Sequence, residues 1–335
     1  MKPIKSYVIE PTYENIIDTL CKDSLKRNKD LSNFLEFLNL LERPCSIALN
    51  GKWGCGKTFF VKQLKAVIEA YNENHEFSKT DDESKIKEAI DKHINKDGET
   101  KQFIPKKVVY FDAWVNDNDE DPILSIIYEI IRSTSSENAL KCKKGLMESL
   151  GAIADFFTGK DITRLIKGVI PEDLLGELKK QKNIHDHIST FLESLLDEKE
   201  ERLVIINELD RCKPRFAVRL LERVKHYFSN DKVTFIFSVN MDELQHTIKH
   251  HYGNKFDAFR YLDRFFDFRY MLPQINLMEY YRSNNFFNGG YYYEKVSSKV
   301  VKVYNFQLRE IQRYRSSIEI LQCYEPSPYN RTNEF

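Results

Sequence analysis

The sequence predicts an α/β fold: a three-layer sandwich with a mainly parallel, five-stranded sheet, a helical insertion and a small helical C-terminal lid. Three observations predict it. Apolar segments that are typical of strands alternate with segments of helical period, which favours a parallel sheet with helices on both faces. The 335 residues allow two domains, or one α/β core with a smaller attached piece. Hydrophobic residues make up 41% of the chain and charged residues 30%, so a large core can be buried.

The charge balance and the cysteines narrow the class of protein. The 51 Lys and Arg residues equal the 51 Asp and Glu residues, so no overall field attracts nucleic acid or anionic lipid. Six scattered cysteines form no Cys-x-x-Cys pair and follow no apolar export segment, which favours reduced thiols in a cytoplasm. No stretch is long and apolar enough to predict a transmembrane segment. These features exclude a disulfide-stabilised miniprotein and favour a cytoplasmic globular protein.

The first predicted elements are a helix, a strand and a glycine-rich loop. The helix precedes Pro44, and five apolar residues share one of its faces: Leu31, Phe34, Leu35, Leu38 and Leu41. A strand is predicted over 45–50, then the loop 51–58 and an amphipathic helix. Residues 72–107 are polar and of mixed charge, which indicates a surface insertion with one helix around Ile86 to Ile94. Residues 1–44 are therefore interpreted as an N-terminal helical segment.

Four later segments complete the predicted sheet. They are KVVYFDAW (107–114), the strand within RLVIINELDRC (202–212), VTFIFSVN (233–240) and the edge strand DFRYML (267–272). A helical insertion is predicted at about 122–201, with helices in PILSIIYEIIR, around Leu146 to Phe157, and over 174–196. After Pro273 the composition becomes aromatic and polar, with a helical unit over 300–321 and a tail. The core is thus predicted over 45–273 and the lid and tail over 274–335.

The loop GKWGCGKT matches the Walker A pattern G-x-x-x-x-G-K-[ST], with Gly51, Gly56, Lys57 and Thr58 at the fixed positions. Glycines let a backbone wrap closely around a polyphosphate, and the helix that follows adds free amides and partial positive charge. Lys57 places its ammonium near the β- and γ-phosphates, and the Thr58 hydroxyl is left to bind Mg²⁺. The predicted nucleotide contacts are Gly51, Lys52, Trp53, Gly54, Cys55, Gly56, Lys57, Thr58 and Phe59.

Three side chains near these motifs have open interpretations. Trp53 is expected to pack beneath the loop. The Cys55 thiol lies in an electropositive loop, where a lowered pKa makes a thiol oxidisable; the alternative is a small residue that the loop tolerates. Asp112 hydrogen-bonds within the site and Trp114 closes the back of the loop, or both belong to an ordinary strand exit whose tryptophan packs in the core.

A phosphate-loop hydrolase also needs a strand beside the first one that ends in a carboxylate for Mg²⁺ and a base for water. LVIINELDRC supplies the strand, with Asn207 after the apolar run, then Glu208 and Asp210. This is a Walker B segment in which the amide oxygen of Asn207 can hold a Mg²⁺-bound water but brings no negative charge. Glu208 is the better candidate for deprotonating water. Asp210 joins the metal shell or pairs with Arg211, and the alternative for both acids is a solvated loop. The predicted metal residues are Thr58, Asn207 and Asp210.

These segments resemble the P-loop domain of the KAP family of NTPases, a branch of the additional-strand, catalytic-glutamate class related to AAA+ and STAND proteins. The resemblance covers most of residues 45–273, and residues 23–44 resemble the helical segment that precedes the loop in that family. It is carried by ALNGKWGCGKTFFVKQL, VVYFDAWVNDNDEDPILSIIYEII, VIINELDRCKPRFAVRLLERVKHYF, VTFIFSVNMDELQHTIKHHYG and FDAFRYLDRFFDFRYMLP.

The resemblance implies roles for individual residues. Glu208 matches the catalytic acid, and Asn240 matches a polar sensor of the γ-phosphate. Arg264 occupies a place where the family usually has a basic residue, and Arg309 or Arg313 resembles the sensor arginine of the lid. For these arginines, surface ion pairs are the alternative. The implied catalytic residues are Glu208, Lys57, Asn240, Arg264 and Arg309.

Two departures from the family pattern affect the expected activity. The pair at the strand end is usually acidic, and Asn207 replaces the first acid, so weak Mg²⁺ affinity and slow turnover are expected. Many members carry transmembrane helices between the loop and the acidic strand, whereas residues 134–201 predict only helices typical of soluble proteins. The chain stops soon after the lid, while many relatives continue into effector regions, so either the partner is a separate polypeptide or this is a minimal form. The expected partner is a second copy in a homo-oligomer or a separate effector protein.

The leading hypothesis is a cytoplasmic molecular switch that binds ATP with Mg²⁺ and hydrolyses it. Because bacterial KAP relatives are associated with phage exclusion, the resemblance suggests a role in antiphage defence. A second hypothesis is a nucleotide-binding scaffold with little hydrolysis, which Asn207 favours. A third is a small-molecule kinase, disfavoured by the long helical insertion. A fourth is a nucleic-acid-associated ATPase, which the balanced charge disfavours, although aromatic and basic residues after residue 286 can stack bases.

Overall fold

The structure, a computed structural model, describes residues 7–72, 81–94, 106–119, 121–133, 153, 187–188, 191, 201–228, 233–284, 286 and 292–324. The chain divides into two compact units. Unit 1 comprises Met1–Leu38, Gly51–Gln102 and Leu272–Phe335, and unit 2 comprises Asn39–Asn50 and Phe103–Met271. The phosphate loop belongs to unit 1 and all five strands belong to unit 2.

Helices and strands alternate along much of the chain. The strands are β1 (Ser46–Asn50), β2 (Lys106–Asp112), β3 (Glu201–Asn207), β4 (Val233–Val239) and β5 (Phe268–Met271). The helices are α1 (Tyr13–Cys21), α2 (Asn28–Asn39), α3 (Lys57–Tyr71), α4 (Asp81–Ile94), α5 (Pro122–Ser133), α6 (Pro214–Tyr227), α7 (Met241–Tyr252), α8 (Ala258–Asp263), α9 (Leu277–Ser283), α10 (Tyr292–Val303) and α11 (Leu308–Tyr324), with a 3₁₀ turn at Leu209–Arg211.

The sheet of unit 2 has the strand order β2-β3-β4-β1-β5, and all its strand pairs are parallel. The predicted five-stranded sheet is confirmed, with β5 at one edge. One expectation is wrong: the strand with the acidic end does not lie beside the strand that leads into the loop. β4 separates them, since it pairs with β1 on one side and with β3 on the other. Every residue of β4 is buried, which suits a strand with neighbours on both edges and helices on both faces.

The core of unit 2 lies where the sheet meets its helices. β3 is buried from its second residue to its last, so its sequence is a continuous apolar run rather than an alternation. α5 begins with Pro122 at its first position, and the Asp121 carboxylate accepts a hydrogen bond from the Ile123 amide at 3.0 Å. Asp121 also pairs with Arg223 of α6 at 3.2 Å. These contacts join two helices that cover the sheet.

Unit 1 is helical in its described parts. Phe34 of α2 and Phe60 of α3 pack edge to face with ring centroids 5.8 Å apart. The C-terminal helices have their own buried cluster, formed by Leu25, Tyr280, Tyr281, Phe286, Val301, Leu308 and Ile311. The helical unit predicted over 300–321 consists of the end of α10 and most of α11. Asn305 lies between them with a φ of 50° and marks the break.

Several predictions can be placed on these elements. The helix predicted around Ile86 to Ile94 is α4. Those predicted around 146–157 and over 174–196 lie outside the described residues, except that residues 153, 187–188 and 191 are helical. The tail after residue 324 also lies outside them, and the predicted domain boundaries at 44 and 273 stay predictions. Within the described ranges, no helix combines the length and the apolar character that crossing a bilayer requires.

Candidate functional site

The phosphate loop of unit 1 depends on glycine at two positions. Gly54 has a φ of 81° and Gly56 a φ of 94°, both in the left-handed region that side chains with a Cβ rarely adopt. Gly56 is also the N-cap residue of α3, which begins at Lys57. The loop therefore turns sharply into the helix, and the first amides of α3 are left without partners in the helix itself.

The start of α11 packs against this loop. A Cβ added at Gly54 would lie 3.2 Å from Cβ of Gln307, and one at Gly56 would lie 3.3 Å from Cδ1 of Leu308. The backbone amide of Arg309 donates to the Gly54 carbonyl at 3.3 Å. Thus backbone conformation favours glycine at both positions, and a side chain there would also be in tight contact with α11. The Arg309 side chain is exposed, as is that of Arg313 one turn later.

Lys57 holds its charge inside the loop. Its side chain is only 8% exposed, and Nζ donates to the carbonyl of Gly51 at 2.5 Å and to that of Lys52 at 3.2 Å. The first turn of α3 contains no acidic residue, so nothing there offsets the partial positive charge of the helix end. The loop thus combines an ammonium with helix-terminal amides, the donors that a polyphosphate requires.

The other loop residues predicted to contact the nucleotide differ in how far they are exposed. Trp53 is 45% exposed, so the expectation that it packs beneath the loop is wrong, because the turn at 53–56 directs this residue outward. Thr58 is half-buried, as is Phe59, which packs against the aromatic cluster of the C-terminal helices. Cys55 is a free, half-buried thiol. A Cβ added at Gly51 would lie 2.8 Å from its Sγ, so the thiol fills the space that glycine leaves.

Asn207 ends β3 at a fully buried position in unit 2. Its Nδ2 donates to the hydroxyl of Tyr110 on β2 at 3.0 Å, and its backbone carbonyl accepts from the amide of Ala113 at 3.0 Å. Its Oδ1 is buried and has no hydrogen-bond partner among the residues that the structure describes. A buried acceptor without a hydrogen bond lowers the stability of the fold, and a metal-bound water is a donor that would satisfy it. The amide of Asn207 therefore fits a place in an outer metal shell.

Tyr110 was missed by sequence reasoning. Burial raises the pKa of its hydroxyl above the ordinary value of 10, and the carboxylates of Asp112 and Glu208 raise it further. The hydroxyl therefore stays protonated and neutral beside Asn207. The available signal was its position on β2, two residues before Asp112, which is the register partner of Asn207.

Glu208 has an unusual backbone and a basic partner. Its φ of 62° lies in the left-handed region, and its amide donates to the Ser238 carbonyl of β4 at 3.2 Å. Strained backbone of this kind persists where neighbouring structure enforces it, often at functional sites. Its Oε2 pairs with Nη1 of Arg211 at 3.0 Å. The 3₁₀ turn allows this pair because it brings residues three apart together. The two alternatives for Asp210, a place in the metal shell or a pair with Arg211, stay predictions.

The tryptophan after β2 does not lie in the core. Trp114 is 52% exposed, and its ring centroid lies 5.5 Å from the guanidinium carbon of Arg211. The core interpretation of Trp114 is wrong, because β2 ends at Asp112 and the chain then turns at the surface. Asp112 accepts a hydrogen bond from the Val115 amide at 3.2 Å within that turn. Trp114, Arg211 and Glu208 thus form a chain of contacts within unit 2.

The remaining predicted residues of unit 2 lie in the 3₁₀ turn, after a strand or on the surface. Asp210 is buried in the 3₁₀ turn. Asn240 follows β4, and its Oδ1 accepts from the Asp242 amide at 3.2 Å, so it caps α7. Asn50 ends β1, and its Oδ1 accepts from the Met241 amide at 2.9 Å. Sequence reasoning missed Asn50, for which the signal was a polar residue ending an apolar strand. Arg264 is exposed at the end of α8.

A comparison with known families finds a family whose matched span includes both the phosphate loop and the end of β3. The model of the KAP family P-loop domain matches residues 9–283. The matched span contains the loop at 51–58 and the end of β3, and it includes all five strands. Among curated proteins, none matches the chain.

Proposed function

The chain belongs to the KAP family of P-loop domains, and from this premise we propose that it is a molecular switch that binds ATP with Mg²⁺ and hydrolyses it. Family membership supports a nucleotide-binding NTPase. The observation that carries the finer proposal is the loop around Lys57, with a buried ammonium, two left-handed glycines and the N-terminal end of α3. This set of donors suits the phosphate chain of a nucleoside triphosphate.

The loop binds the phosphates through groups that it already holds in place. Lys57 exchanges its hydrogen bonds to the carbonyls of Gly51 and Lys52 for phosphate oxygens, so its charge is positioned before the ligand arrives. When bound, Mg²⁺ neutralises charge on the phosphate oxygens. Thr58 is its proposed ligand from the loop. At the end of β3, the orphaned Oδ1 of Asn207 fits a metal-bound water, with Asp210 as the neighbouring carboxylate.

Glu208 is the proposed base for the attacking water. It is the carboxylate directly after β3, and its side chain is mostly buried while keeping contact with Arg211. In the proposed step the water attacks the γ-phosphate and its proton passes to this carboxylate, while the bond from the γ-phosphorus to the bridging oxygen breaks and ADP leaves. Because Arg211 occupies one oxygen of Glu208, turnover requires either the other oxygen or release of the pair.

A second candidate is a nucleotide-binding scaffold that hydrolyses little. Two observations favour it: Asn207 brings no charge to the end of β3, and Glu208 is held in an ion pair. In this case the bound nucleotide orders the protein for a partner without being consumed. Assembly with itself or with a separate effector protein, and a role in antiphage defence, are proposals that family membership motivates.

One titration tests these functions together. Purified protein is titrated with ATP in the presence and absence of Mg²⁺, while binding, phosphate release and particle mass are followed. The switch predicts Mg²⁺-dependent phosphate release without a phosphorylated acceptor, together with a change in mass. If the protein is a scaffold, ATP should bind with a fixed stoichiometry and should remain unhydrolysed in a single-turnover assay. Failure to bind ATP under any condition contradicts both.

A further inference from the structure

Arg27 is a buried arginine in the helical segment that precedes β1, where neither the motifs nor the resemblance implies a role for it, and it touches the phosphate loop. Its side chain is 3% exposed and lies wholly within unit 1. Nη2 donates to the backbone carbonyl of Cys55 at 3.2 Å, and Nη1 donates to the Pro273 carbonyl and to the Asp30 carboxylate. One guanidinium therefore joins the loop to two other segments of the unit.

The turn between α1 and α2 fixes where this side chain begins. Asp23 accepts hydrogen bonds from the amides of Arg27 at 3.0 Å and Asn28 at 3.2 Å. Asn28 in turn donates from Nδ2 to the Leu20 carbonyl at 2.8 Å. Asp23 and Lys26 both have positive φ values, 45° and 54°, so the turn is tightly determined. The guanidinium therefore approaches Cys55 from a rigid base.

The position of the Cys55 carbonyl determines the direction of an amide. The described chain contains no cis peptide bond, and in a planar trans peptide the carbonyl and the N–H point in opposite directions. Because Arg27 holds the Cys55 carbonyl, the Gly56 N–H of the same peptide must point away from the guanidinium. Under the proposed function, this N–H is one of the donors that bind the phosphates.

This peptide is also the one most able to flip. Rotation of the Cys55–Gly56 peptide changes φ of Gly56, and glycine reaches both signs of φ at little steric cost. A flipped peptide would turn a carbonyl toward the phosphates, where its negative end repels them. Gly56 therefore permits both orientations of the Cys55–Gly56 peptide. A contact from outside the loop is needed to favour the orientation in which the Gly56 N–H faces the phosphates.

Among the described residues, the buried position of Arg27 leaves one of its hydrogen-bond donors unsatisfied, which indicates a role other than stabilising the fold. Nε of Arg27 is buried and has no hydrogen-bond partner within the described part of the chain, although Nη1 and Nη2 are both bonded. A buried charge with an unsatisfied donor is unfavourable for stability alone. The planar fork of arginine can reach the Cys55 and Pro273 carbonyls together, whereas a lysine ammonium on a flexible stem holds less defined directions.

We propose that Arg27 is a positioning residue that keeps the Cys55–Gly56 peptide oriented for polyphosphate binding. This rests on the proposed nucleotide binding and deepens it. Arg27 itself touches no nucleotide; it acts through the loop backbone. Its contribution is to the affinity for the phosphate chain, independent of the base or sugar.

The test compares the full-length parent with Arg27→Lys and Arg27→Ala. Calorimetry measures the Kd of ATP and ADP, and inorganic tripolyphosphate serves as a ligand without a nucleoside. Thermal unfolding selects a temperature at which each variant is folded. Arg27→Lys keeps the charge, and we expect it to weaken all three ligands by the same factor of about ten. Arg27→Ala is expected to weaken them at least as much.

Asp30→Asn is the matched control. It replaces the carboxylate by an amide oxygen that can still accept from Nη1 and leaves both carbonyl contacts, so the Kd values should stay within about twofold of the parent at a temperature where the variant is folded. An equal loss in Asp30→Asn would overturn the inference, as would parent-like binding by Arg27→Lys. If neither Arg27 variant folds, the residue is structural and the inference also falls. A parent that binds neither ATP nor tripolyphosphate would instead overturn the proposed function.

Discussion

The phosphate loop of unit 1 and the end of β3 in unit 2 hold their polar groups by different means. The loop uses backbone: two left-handed glycines, the amides at the start of α3 and one lysine bonded to loop carbonyls. The strand end uses side chains, with Asn207 on Tyr110 and Glu208 on Arg211. The conformation of a loop is encoded within a few consecutive residues, whereas contacts between side chains depend on neighbours from distant segments.

The two regions should therefore fail differently when they are changed. In the loop, conformation is strict, because Gly54 and Gly56 both have φ values in the left-handed region. At the strand end, Asn207 and Glu208 are each held by a particular side chain, Tyr110 and Arg211, so small chemical changes alter charge or hydrogen bonds without moving the backbone. Four substitutions test this contrast.

Glu208→Gln should have the largest effect, on turnover alone. The side chain keeps its size and loses the carboxylate that accepts the water proton, so hydrolysis should fall on the order of a thousandfold. The Kd for ATP should change little, because the donors for the phosphates lie in the loop. Single-turnover phosphate release and calorimetry measure the two quantities. Unchanged turnover, with a loss in Asp210→Asn, would move the role of base to Asp210.

Lys57→Ala should remove binding as well as turnover. The buried ammonium contributes charge-assisted hydrogen bonds to the phosphates, and its loss should weaken ATP on the order of a hundredfold. Lys29→Ala removes an exposed lysine of α2 that is not among the predicted nucleotide contacts, and it serves as the matched control. Equal losses in both variants would mean that general positive charge, and not the loop geometry, binds the nucleotide.

Asn207→Asp should lower the Mg²⁺ concentration for half-maximal hydrolysis several-fold. It adds a negative charge at the buried position where the orphaned oxygen lies. In the absence of Mg²⁺ the same charge should reduce the free energy of unfolding by about 1 to 3 kcal/mol. The Mg²⁺ dependence of the parent, Asn207→Asp and Asp210→Asn decides the assignment. No shift in the first variant with a large loss in the second would transfer the metal role to Asp210.

Tyr110→Phe should have the smallest effect, on stability at high pH. The folded-state pKa of Tyr110 lies above its unfolded value of about 10, so the folded state keeps the proton longer. This contribution to the free energy of unfolding is complete below pH 10 and is lost as the pH rises above it, by up to about 1.4 kcal/mol per pH unit.

Removing the hydroxyl should therefore flatten the alkaline decline while costing about 1 kcal/mol at neutral pH, the value of a typical hydrogen bond. Denaturant unfolding between pH 7 and 11 measures both terms. The control is Tyr128→Phe, at an exposed position of α5, which should leave the profile unchanged. A Tyr110→Phe profile parallel to that of the parent would contradict the assigned cause.

The contrast also explains which features were predictable from sequence. Walker A spacing and the apolar runs are local signals, so the loop, the five strands and the start of α3 were predicted close to their positions. The order of parallel strands has no local signal, so the insertion of β4 between β1 and β3 was missed. Arg27, Asn50 and Tyr110 were missed for the same reason: each acquires its role from a partner far along the chain.

Burial of single aromatic residues was equally unpredictable. Trp53 and Trp114 were expected to be covered because large aromatic side chains usually are. Both stand in turns that follow strands, where the direction of the chain and not hydrophobicity determines exposure. Trp114 has a partner in Arg211, but a contact between a ring and a guanidinium leaves no periodic pattern in the sequence.

The strand order has a consequence for how the chain folds during synthesis. Among the strands that the structure describes, β1 pairs with β4 and β5: Ser46 lies opposite Phe235, and Ile47 opposite Phe268. At ribosomal rates, the first strand therefore waits roughly ten to forty seconds for a neighbour. Such distant pairing folds slowly because loop-closure entropy is lost before contacts compensate for it. The segment that leads into the phosphate loop is accordingly the strand exposed longest to chaperones and to misassociation while the nascent chain grows.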